Sequence, residues 1–509
     1  MNGNLTAFFI FWGIWLLVPL LIDGVTAIVY LGTVWVSAWR KRFASTHREL
    51  HHYPLVTVII PVYNGRHSLG QCLTSLSGQT YPQGSLEVLV VNNGSVDNTH
   101  EVFLEQKRQP FAGRLEWVSI ADKGKAWALN AGIHLARGTY IVNIDCDVVL
   151  DPDAILNMVR AFEADPQLAA ATGSIQVVPA DSSATAVKRI LAECEFMEYY
   201  FGFHVGRQFQ TATNSLFTLA GAFSAFRADV LLRTQLYSRS TVSEDTDLTF
   251  DLYERLPGSK VAVVADAVAY LEPTASVSSI YAQRVRWQRG QLEVVATHSG
   301  LLTKGLFRLR GLSPVRSLAV DHTLAFPRMV WTFLLPTLVA FGYPASLVIS
   351  AIIAMYLAYV VIEGLFWLTC VLLARGGARQ RLAANWWLCF IMPIYRFFIF
   401  WFRLAGFFAP ITEPPEWRVQ DPLSLTKDAA LRAANGFTAL SLSLITLKPA
   451  QGLYLAGRRS VPTLLRRTQG AYRWVAQLRR EGAGGLGDVQ RSSRLAPSEV
   501  SPEDRFLAQ

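Results

Sequence analysis

The sequence predicts a soluble α/β domain inserted between N-terminal and C-terminal transmembrane helices, and three observations predict it. Hydrophobic residues make up 51% of the 509 residues and aromatic residues 12%, with a mean hydropathy of +0.26; this is more apolar than an ordinary soluble protein. The apolar residues are concentrated before residue 40 and between residues 326 and 408. Segments there reach the roughly 20 residues that cross about 30 Å of hydrocarbon. The stretch between them alternates short β-branched runs with helical ones, as a parallel α/β sheet does.

From Leu5 to Trp39 the chain is almost continuously apolar, interrupted by Pro19, Asp23 and Gly24. A straight helix of that length would measure roughly 50 Å at about 1.5 Å per residue, so a tight hairpin, or one span joined to an interfacial helix, is expected. The segment lacks a basic n-region and is longer than a cleavable signal, so residues 1–50 read as a retained anchor. The basic run from Arg40 to Arg48 places its exit on the cytoplasmic side. The same rule explains the net charge of +9: basic residues flank apolar segments at Arg40-Lys41-Arg42 and from Arg375 to Arg381, which argues against a nucleic-acid partner. The five cysteines, Cys72, Cys146, Cys194, Cys370 and Cys389, show no metal-ligand spacing. They read as reduced packing residues of a cytosolic domain.

The soluble domain spans residues 51–295. Its first strand is Val56-Thr57-Val58-Ile59-Ile60-Pro61, a buried run ended by proline. Leu86 to Val91 forms the second and closes on Asn92-Asn93-Gly94-Ser95. The third, Gly138 to Ile144, ends on Asp145-Cys146-Asp147. A helix is expected from Lys125 to Arg137. In such sheets ligands bind beyond the carboxyl ends of the strands.

Residues 296–325 read as an interfacial segment and 326–408 as the C-terminal membrane region. Phe326 to Ala374 is long enough for two spans divided around Gly342-Tyr343-Pro344. Asn385 to Phe408 carries Arg396 and Arg403, which make a lipid-exposed span costly; it faces the protein interior or lies partly in the interface. The basic tail, 409–509, holds 14 Lys and Arg, which favour a cytosolic location. Its end, from Glu481, has a disordered composition. Three apolar segments after residue 295 conflict with a cytosolic tail unless the last does not fully cross.

Asp145 and Asp147, one residue apart at a strand end, would project to the same side if the strand's alternation continued. Paired carboxylates suit Mg²⁺ or Mn²⁺, which prefer oxygen ligands shared with substrate phosphates; a turn or helix cap also uses such residues. Ser243-Glu244-Asp245, followed by Asp247, either caps a helix beginning near Asp247 or carries acid–base chemistry. Gln283-Arg284-Val285-Arg286-Trp287, then Gln288-Arg289-Gly290, is either an interfacial foot or a binding motif.

Together, Asp-x-Asp, Glu-Asp about a hundred residues on and Gln-x-x-Arg-Trp about forty further, all between membrane segments, resemble the family 2 processive glycosyltransferases. These include the bacterial poly-N-acetylglucosamine, cellulose, chitin and hyaluronan synthases. The resemblance covers roughly Pro54 to Val295 and implies a GT-A type nucleotide-sugar-binding domain. It implies that Pro61 and Tyr63 lie near the donor uracil, with Asn93 in the second strand-end motif, where Asn92-Asn93 replaces an Asp pair. Lys125, in Gly124-Lys125-Ala126-Trp127, would reach the diphosphate; Asp145 would contact the nucleotide and, with Asp147, the metal. Gly221 belongs to the acceptor-side loop Ala220-Gly221-Ala222-Phe223, in which Ala222 replaces a serine. Asp245 would be the catalytic base beside Glu244, with Ser243 in place of threonine. Gln283 and Trp287 would hold the acceptor, and Arg286 the diphosphate. Pro415-Glu416-Trp417-Arg418 faintly resembles a further segment near the pocket.

The resemblance implies a metal-dependent, inverting hexosyltransferase of the bacterial cytoplasmic membrane. It would use a UDP-sugar donor to extend a β-linked polysaccharide processively with coupled export, among membrane lipids and with accessory export subunits allowed. The alternative is single addition to a lipid-linked or oligosaccharide acceptor; a third reading is a receptor or scaffold with a decayed transferase domain. The sequence does not identify the sugar.

Overall fold

The computed structural model describes residues 13, 19–44, 50–274, 276–300, 313–323 and 325–412. A short π-helix, Pro19–Gly24, leads into α1 (Val25–Ala44). The soluble domain then runs β1 (Val56–Val62), α2 (Leu69–Ser77), β2 (Leu86–Asn92), α3 (Thr99–Lys107), β3 (Arg114–Ser119), α4 (Lys125–Leu135), β4 (Tyr140–Ile144), β5 (Val149–Leu150) and α5 (Ala154–Ala164). It continues with β6 (Leu168–Val177), α6 (Ala186–Tyr199), α7 (Arg207–Ala212), β7 (Phe223–Arg227), α8 (Ala228–Leu231), α9 (Glu244–Arg255), β8 (Lys260–Leu271) and α10 (Val277–Thr297).

Every residue of β1 and β4 is buried, as is nearly all of β2. Continuous apolar runs of this kind belong to strands covered on both faces. β1 pairs parallel with β2, Val56 opposite Leu86 through Val62 opposite Asn92, and parallel with β4 from Val56 opposite Tyr140. The shared register brings the carboxyl ends of these strands together, where Tyr63, Asn93 and Asp145 emerge.

The sheet is mixed rather than purely parallel, in the order β3-β2-β1-β4-β7-β6-β8-β5. β7 runs antiparallel between β4 and β6, with Ile144 opposite Phe223, and β5 runs antiparallel to β8. The reversal has a local consequence: the amino end of β7 meets the carboxyl end of β4, which lays the Ala220–Phe223 loop beside Asp145. Five residues of β7, Phe-Ser-Ala-Phe-Arg, are too few and too mixed to announce a central strand.

Beyond the sheet come α11 (Pro314–Thr323), α12 (Ala325–Ala340), α13 (Ala345–Leu373), α14 (Gly376–Ala384) and α15 (Leu388–Thr412). Among the described residues two helices are long and apolar enough to cross a membrane, α13 and α15. The expected division between spans falls at Gly342, with φ +88°, although α12 has only 16 residues. No helix N-terminal to the sheet meets the same criterion among the described residues; much of the expected N-terminal anchor, like the tail from 413, lies outside them. The part of α1 that is described packs on the soluble domain, with Tyr30 4.2 Å from the Phe209 ring.

Both arginines of α15 face protein. Arg396 pairs with Glu363 of α13 at 2.5 Å, and Arg403 Nε donates to Gln288 Oε1 of α10 at 2.9 Å. α15 lies directly on α10 at Gly406, where an added Cβ would stand 2.7 Å from the Val285 carbonyl and 2.8 Å from Gln288 Cβ. Such close helix approach requires a small residue. Arg381 of α14 docks on the soluble domain through Glu193, Nε to Oε2 at 2.9 Å, with the Phe196 ring 3.8 Å from its guanidinium. All five cysteines are free thiols.

Candidate active site

Four chain segments converge at the strand ends. Lys125 begins α4, and Gly124 before it adopts φ +140°, a conformation that favours glycine. That turn is held by Asn93, whose Oδ1 accepts from Gly124 N at 2.5 Å. A backbone N–H can bond only to the amide oxygen, so the Asn93 Nδ2 is directed elsewhere. Neighbouring Asn64 is also left-handed, at φ +53°, and its Oδ1 accepts from Val96 N at 2.9 Å. Beside it, Tyr63 is 47% exposed, and Pro61 is fixed within β1 opposite Val91.

Lys125 Nζ lies 2.6 Å from Asp145 Oδ1 and 3.5 Å from Glu244 Oε1. Burial would lower its pKa, but the Asp145 and Glu244 charges outweigh burial and hold it well above the ordinary lysine range. Glu244 is 8% exposed; burial raises its carboxyl, Lys125 opposes this, and the adjacent Asp245 raises it further. Asp245 Oδ2 accepts from Gly221 N at 3.0 Å. A Cβ on Gly221 would sit 3.3 Å from that oxygen and 3.5 Å from Lys125 Nζ, so the glycine keeps this approach open.

Two local expectations are corrected here. β4 ends at Ile144, and Asp145-Cys146-Asp147 is a turn closed by Val148 N on the Asp145 carbonyl at 3.1 Å; strand alternation therefore does not orient the pair. The helix expected near Asp247 begins at Glu244, which places Glu244 and Asp245 in its first turn, where backbone N–H groups favour negative charge.

Asp147 is solvent-exposed at the end of that turn. Crowding raises its carboxyl, as does Asp145, while Lys125 and Arg286 pull it down. Among the described residues no group of three or more His, Cys, Asp or Glu forms a protein-only metal cage. The two carboxylates fit a cation such as Mg²⁺ or Mn²⁺, which keeps waters and shares substrate phosphates.

The Gln283–Trp287 motif lies on α10. Gln283 Oε1 accepts from Tyr199 OH at 3.3 Å and from Arg284 Nη1 at 3.0 Å. Trp287 stands beside Tyr199 and Phe203, with the Arg284 guanidinium 4.3 Å from its ring. Arg286 of the same motif acts electrostatically on Asp147, helping to pull its carboxyl down. Arg284 was not singled out by sequence. It is 2% exposed and bonds Glu198 Oε2 at 2.6 Å, which also accepts from Tyr395 OH at 2.7 Å. Its place between two motif residues was the available signal. Thr172 and Arg207, behind the Ala220–Phe223 loop, carry no local motif.

The family described as glycosyltransferase-like family 2 matches residues 54–290. The poly-beta-1,6-N-acetyl-D-glucosamine synthase of Staphylococcus epidermidis is 27% identical over 241 residues, 47% of this chain and 55% of the relative. That of Staphylococcus aureus strain COL is 26% identical over the same shares. This chain thus spans about half the length of the curated relatives it matches. Among solved structures, a mannosyltransferase from Pyrobaculum calidifontis in complex with GDP-Man and Mn²⁺ is 19% identical with a TM-score of 0.47, covering 77% of this chain and 98% of that one. S. aureus TarS 1–349 in complex with UDP-GlcNAc is 16% identical with a TM-score of 0.34, covering 67% and 91%. With the mixed sheet and the matched residues, the conclusion is that residues 54–290 form a family 2 glycosyltransferase domain.

Proposed function

We propose that this chain is an inverting glycosyltransferase that uses a UDP-sugar at the cytoplasmic face of a bacterial membrane. It extends a β-linked polysaccharide processively and couples extension to export. The observation that carries the reading is the convergence of Lys125, Asp145, Glu244 and Asp245 around the Gly221 N–H at the strand ends. A carboxylate within reach of an acceptor hydroxyl takes its proton in the transition state. Here the acceptor oxygen attacks the anomeric carbon, the proton passes to Asp245, and the bond to the donor diphosphate breaks with its electron pair on the departing nucleotide. Direct displacement turns an α-linked donor into a β-linkage without a covalent intermediate. Lys125 offers a fixed positive charge to the departing diphosphate, where preorganised charge lowers the barrier.

Asp145 and Asp147 would hold Mg²⁺ or Mn²⁺, which would neutralise charge on the diphosphate. Tyr63, Pro61 and Asn93 receive the nucleotide base, and Arg286 the diphosphate. Gly221, Gln283 and Trp287 form the acceptor side, since an aromatic face suits the apolar side of a sugar ring. Residues 1–50 anchor the chain, 296–325 lie at the interface, and 326–408 form the membrane region beneath the domain. The similarity to poly-β-1,6-N-acetyl-D-glucosamine synthases supports polymer extension and makes UDP-N-acetylglucosamine the first donor to try.

The test is radiolabel transfer from a panel of UDP-sugars by the full chain in lipid vesicles with Mg²⁺ or Mn²⁺, beside Asp245→Asn. High-molecular-weight product from one donor, absent in the variant, supports the proposal. A short lipid-linked product replaces polymer extension by single addition. Undiminished transfer by Asp245→Asn removes that residue as the base.

A further inference from the structure

Near the end of α6 stands a carboxylate that the reaction chemistry above does not use. One oxygen of Glu198, Oε2, receives donors from two other helices: Arg284 Nη2 of α10 at 2.6 Å and Tyr395 OH of α15 at 2.7 Å. Around it Met197 of α6, Ile280 of α10 and Met392 of α15 belong to one buried apolar cluster, together with the Tyr395 ring. The three helices are thus fixed against one another where the carboxylate sits.

The bond to Arg284 matters because of what else that guanidinium holds. Its Nε makes no hydrogen bond among the described residues, so the plane is set from its two Nη ends. Nη2 is on Glu198, and Nη1 donates to Gln283 Oε1 at 3.0 Å. The guanidinium carbon also stands 4.3 Å from the Trp287 ring centre and 5.5 Å from that of Tyr199. Because the group is a rigid planar fork, the bond that fixes one end fixes the other end and the ring contacts with it. Gln283 Oε1 accepts from Tyr199 OH as well, at 3.3 Å, and an amide oxygen has two lone pairs. With both engaged, the amide turns its Nε2 donor to whatever else it meets, and a sugar hydroxyl meets it as an acceptor. A buried ion pair is seldom required for stability, since well-packed apolar residues often replace it without loss; what this one adds is orientation.

We propose that Glu198 is a positioning residue for the acceptor: by fixing the Arg284 guanidinium, it aims the Gln283 amide and the Trp287 ring at the growing glycan. The inference rests on the reading of Gln283 and Trp287 as the acceptor side. A poorly held acceptor leaves the anomeric carbon open to water. The water oxygen then forms the new bond, the diphosphate departs with its electron pair, and the water's proton passes to the base. The products are free sugar and UDP, so each UDP released without sugar incorporated counts one failure to present the acceptor.

The experiment uses the full chain in lipid vesicles with the UDP-sugar selected by the panel above. It measures KM for that donor, sugar incorporated into polymer per UDP released, and product length. Wild type is compared with Glu198→Ala, Glu198→Gln, Gln283→Ala, Trp287→Ala and the pair Glu198→Ala/Arg284→Met. Glu198→Ala is expected to incorporate about tenfold less sugar per UDP, the lower end for a lost hydrogen bond between charged groups. Its polymer should be shorter and its donor KM that of wild type. Fewer folded molecules lower release and incorporation together, so a purely structural role leaves the ratio unmoved. Both donors land on a single oxygen of Glu198, so the one amide oxygen of Glu198→Gln can take both and should recover most of the loss. A wild-type ratio in Glu198→Ala overturns the inference, as does a Glu198→Gln ratio no better than that of Glu198→Ala. If Glu198→Ala does not fold, the pair variant, which leaves no buried guanidinium without its carboxylate, decides: a lowered ratio supports the inference and a wild-type ratio overturns it. Wild-type ratios in Gln283→Ala and Trp287→Ala instead refute the acceptor assignment itself.

Discussion

Placing a methyl group on Gly290 tests the contact that joins α10 to the turn before α9. Gly290 of α10 lies against Ser243, immediately before the Glu244-Asp245 turn. An added Cβ would stand 2.0 Å from Ser243 Oγ, 2.6 Å from its Cβ and 2.9 Å from its backbone N. The serine side chain can rotate, but the backbone cannot. Reaching ordinary contact at about 3.5 Å requires the Ser243 backbone to recede by roughly 0.6 Å. That segment is also held by Val242 N on Glu293 Oε2 at 3.0 Å and Ser243 N on Thr241 Oγ1 at 3.1 Å. Overpacking of this kind costs about 1–3 kcal/mol, whereas alanine in a helix interior is favoured over glycine by about 1 kcal/mol. Gly290→Ala is therefore expected to unfold more readily than wild type. It should also lose roughly ten- to a hundredfold in transfer rate, because displacements approaching 1 Å at a reacting group have effects of that size. Thermal unfolding in detergent and radiolabel transfer measure the two. Ser243→Gly removes the two nearest contacts and should recover part of both losses. A Gly290→Ala protein that melts higher and transfers at the wild-type rate would refute the reasoning, since only the helix-propensity gain would remain.

Gly406→Leu should separate α15 from α10, because its Cβ already falls 2.7 Å from the Val285 carbonyl; a loss of about 1–3 kcal/mol by thermal unfolding is expected, and wild-type stability would contradict the contact. His298 sits between Asp247, 3.1 Å from Nε2, and Glu254, 2.9 Å from Nδ1, and the Asp247 bond leads the effects that raise its pKa. Its folded pKa lies above the unfolded value, so its contribution is fully present below about pH 6.5 and is lost as pH rises through the folded pKa. Wild type should thus lose stability over that alkaline window, and His298→Gln should not; parallel stability–pH curves would contradict this. Arg381→Ala leaves Glu193 without its guanidinium partner and should release α14 from the soluble domain, read as faster proteolysis near residue 381 with the domain's own protection unchanged.

Much of this was legible in the sequence because the buried strands are continuous apolar runs. Val56 to Val62, Leu86 to Asn92 and Tyr140 to Ile144 appear within a residue or two of their expected limits. Lys125, Asp145, Glu244 and Asp245 were singled out as carriers of chemistry, and they do come together. Where they point was not legible: the Asp145–Asp147 pair belongs to a turn, and Asp245 is oriented by Gly221, 24 residues away. The antiparallel β7 was missed because a five-residue strand is placed by its neighbours. Arg207 and Thr172 were missed because 35 residues separate them, and nothing local marks either one. The two arginines of the last apolar segment were read as costly in lipid; Arg396 pairs with Glu363 of the apolar helix α13, and Arg403 bonds Gln288 of α10.

The two bare glycine contacts on α10 have a mechanical consequence. On one side Gly290 meets Ser243, and on the other Val285 and Gln288 meet Gly406. Neither contact has a side chain on the glycine that could swing aside and absorb a shift. α10 is therefore held tightly between α15 on one side and the turn that begins α9 on the other.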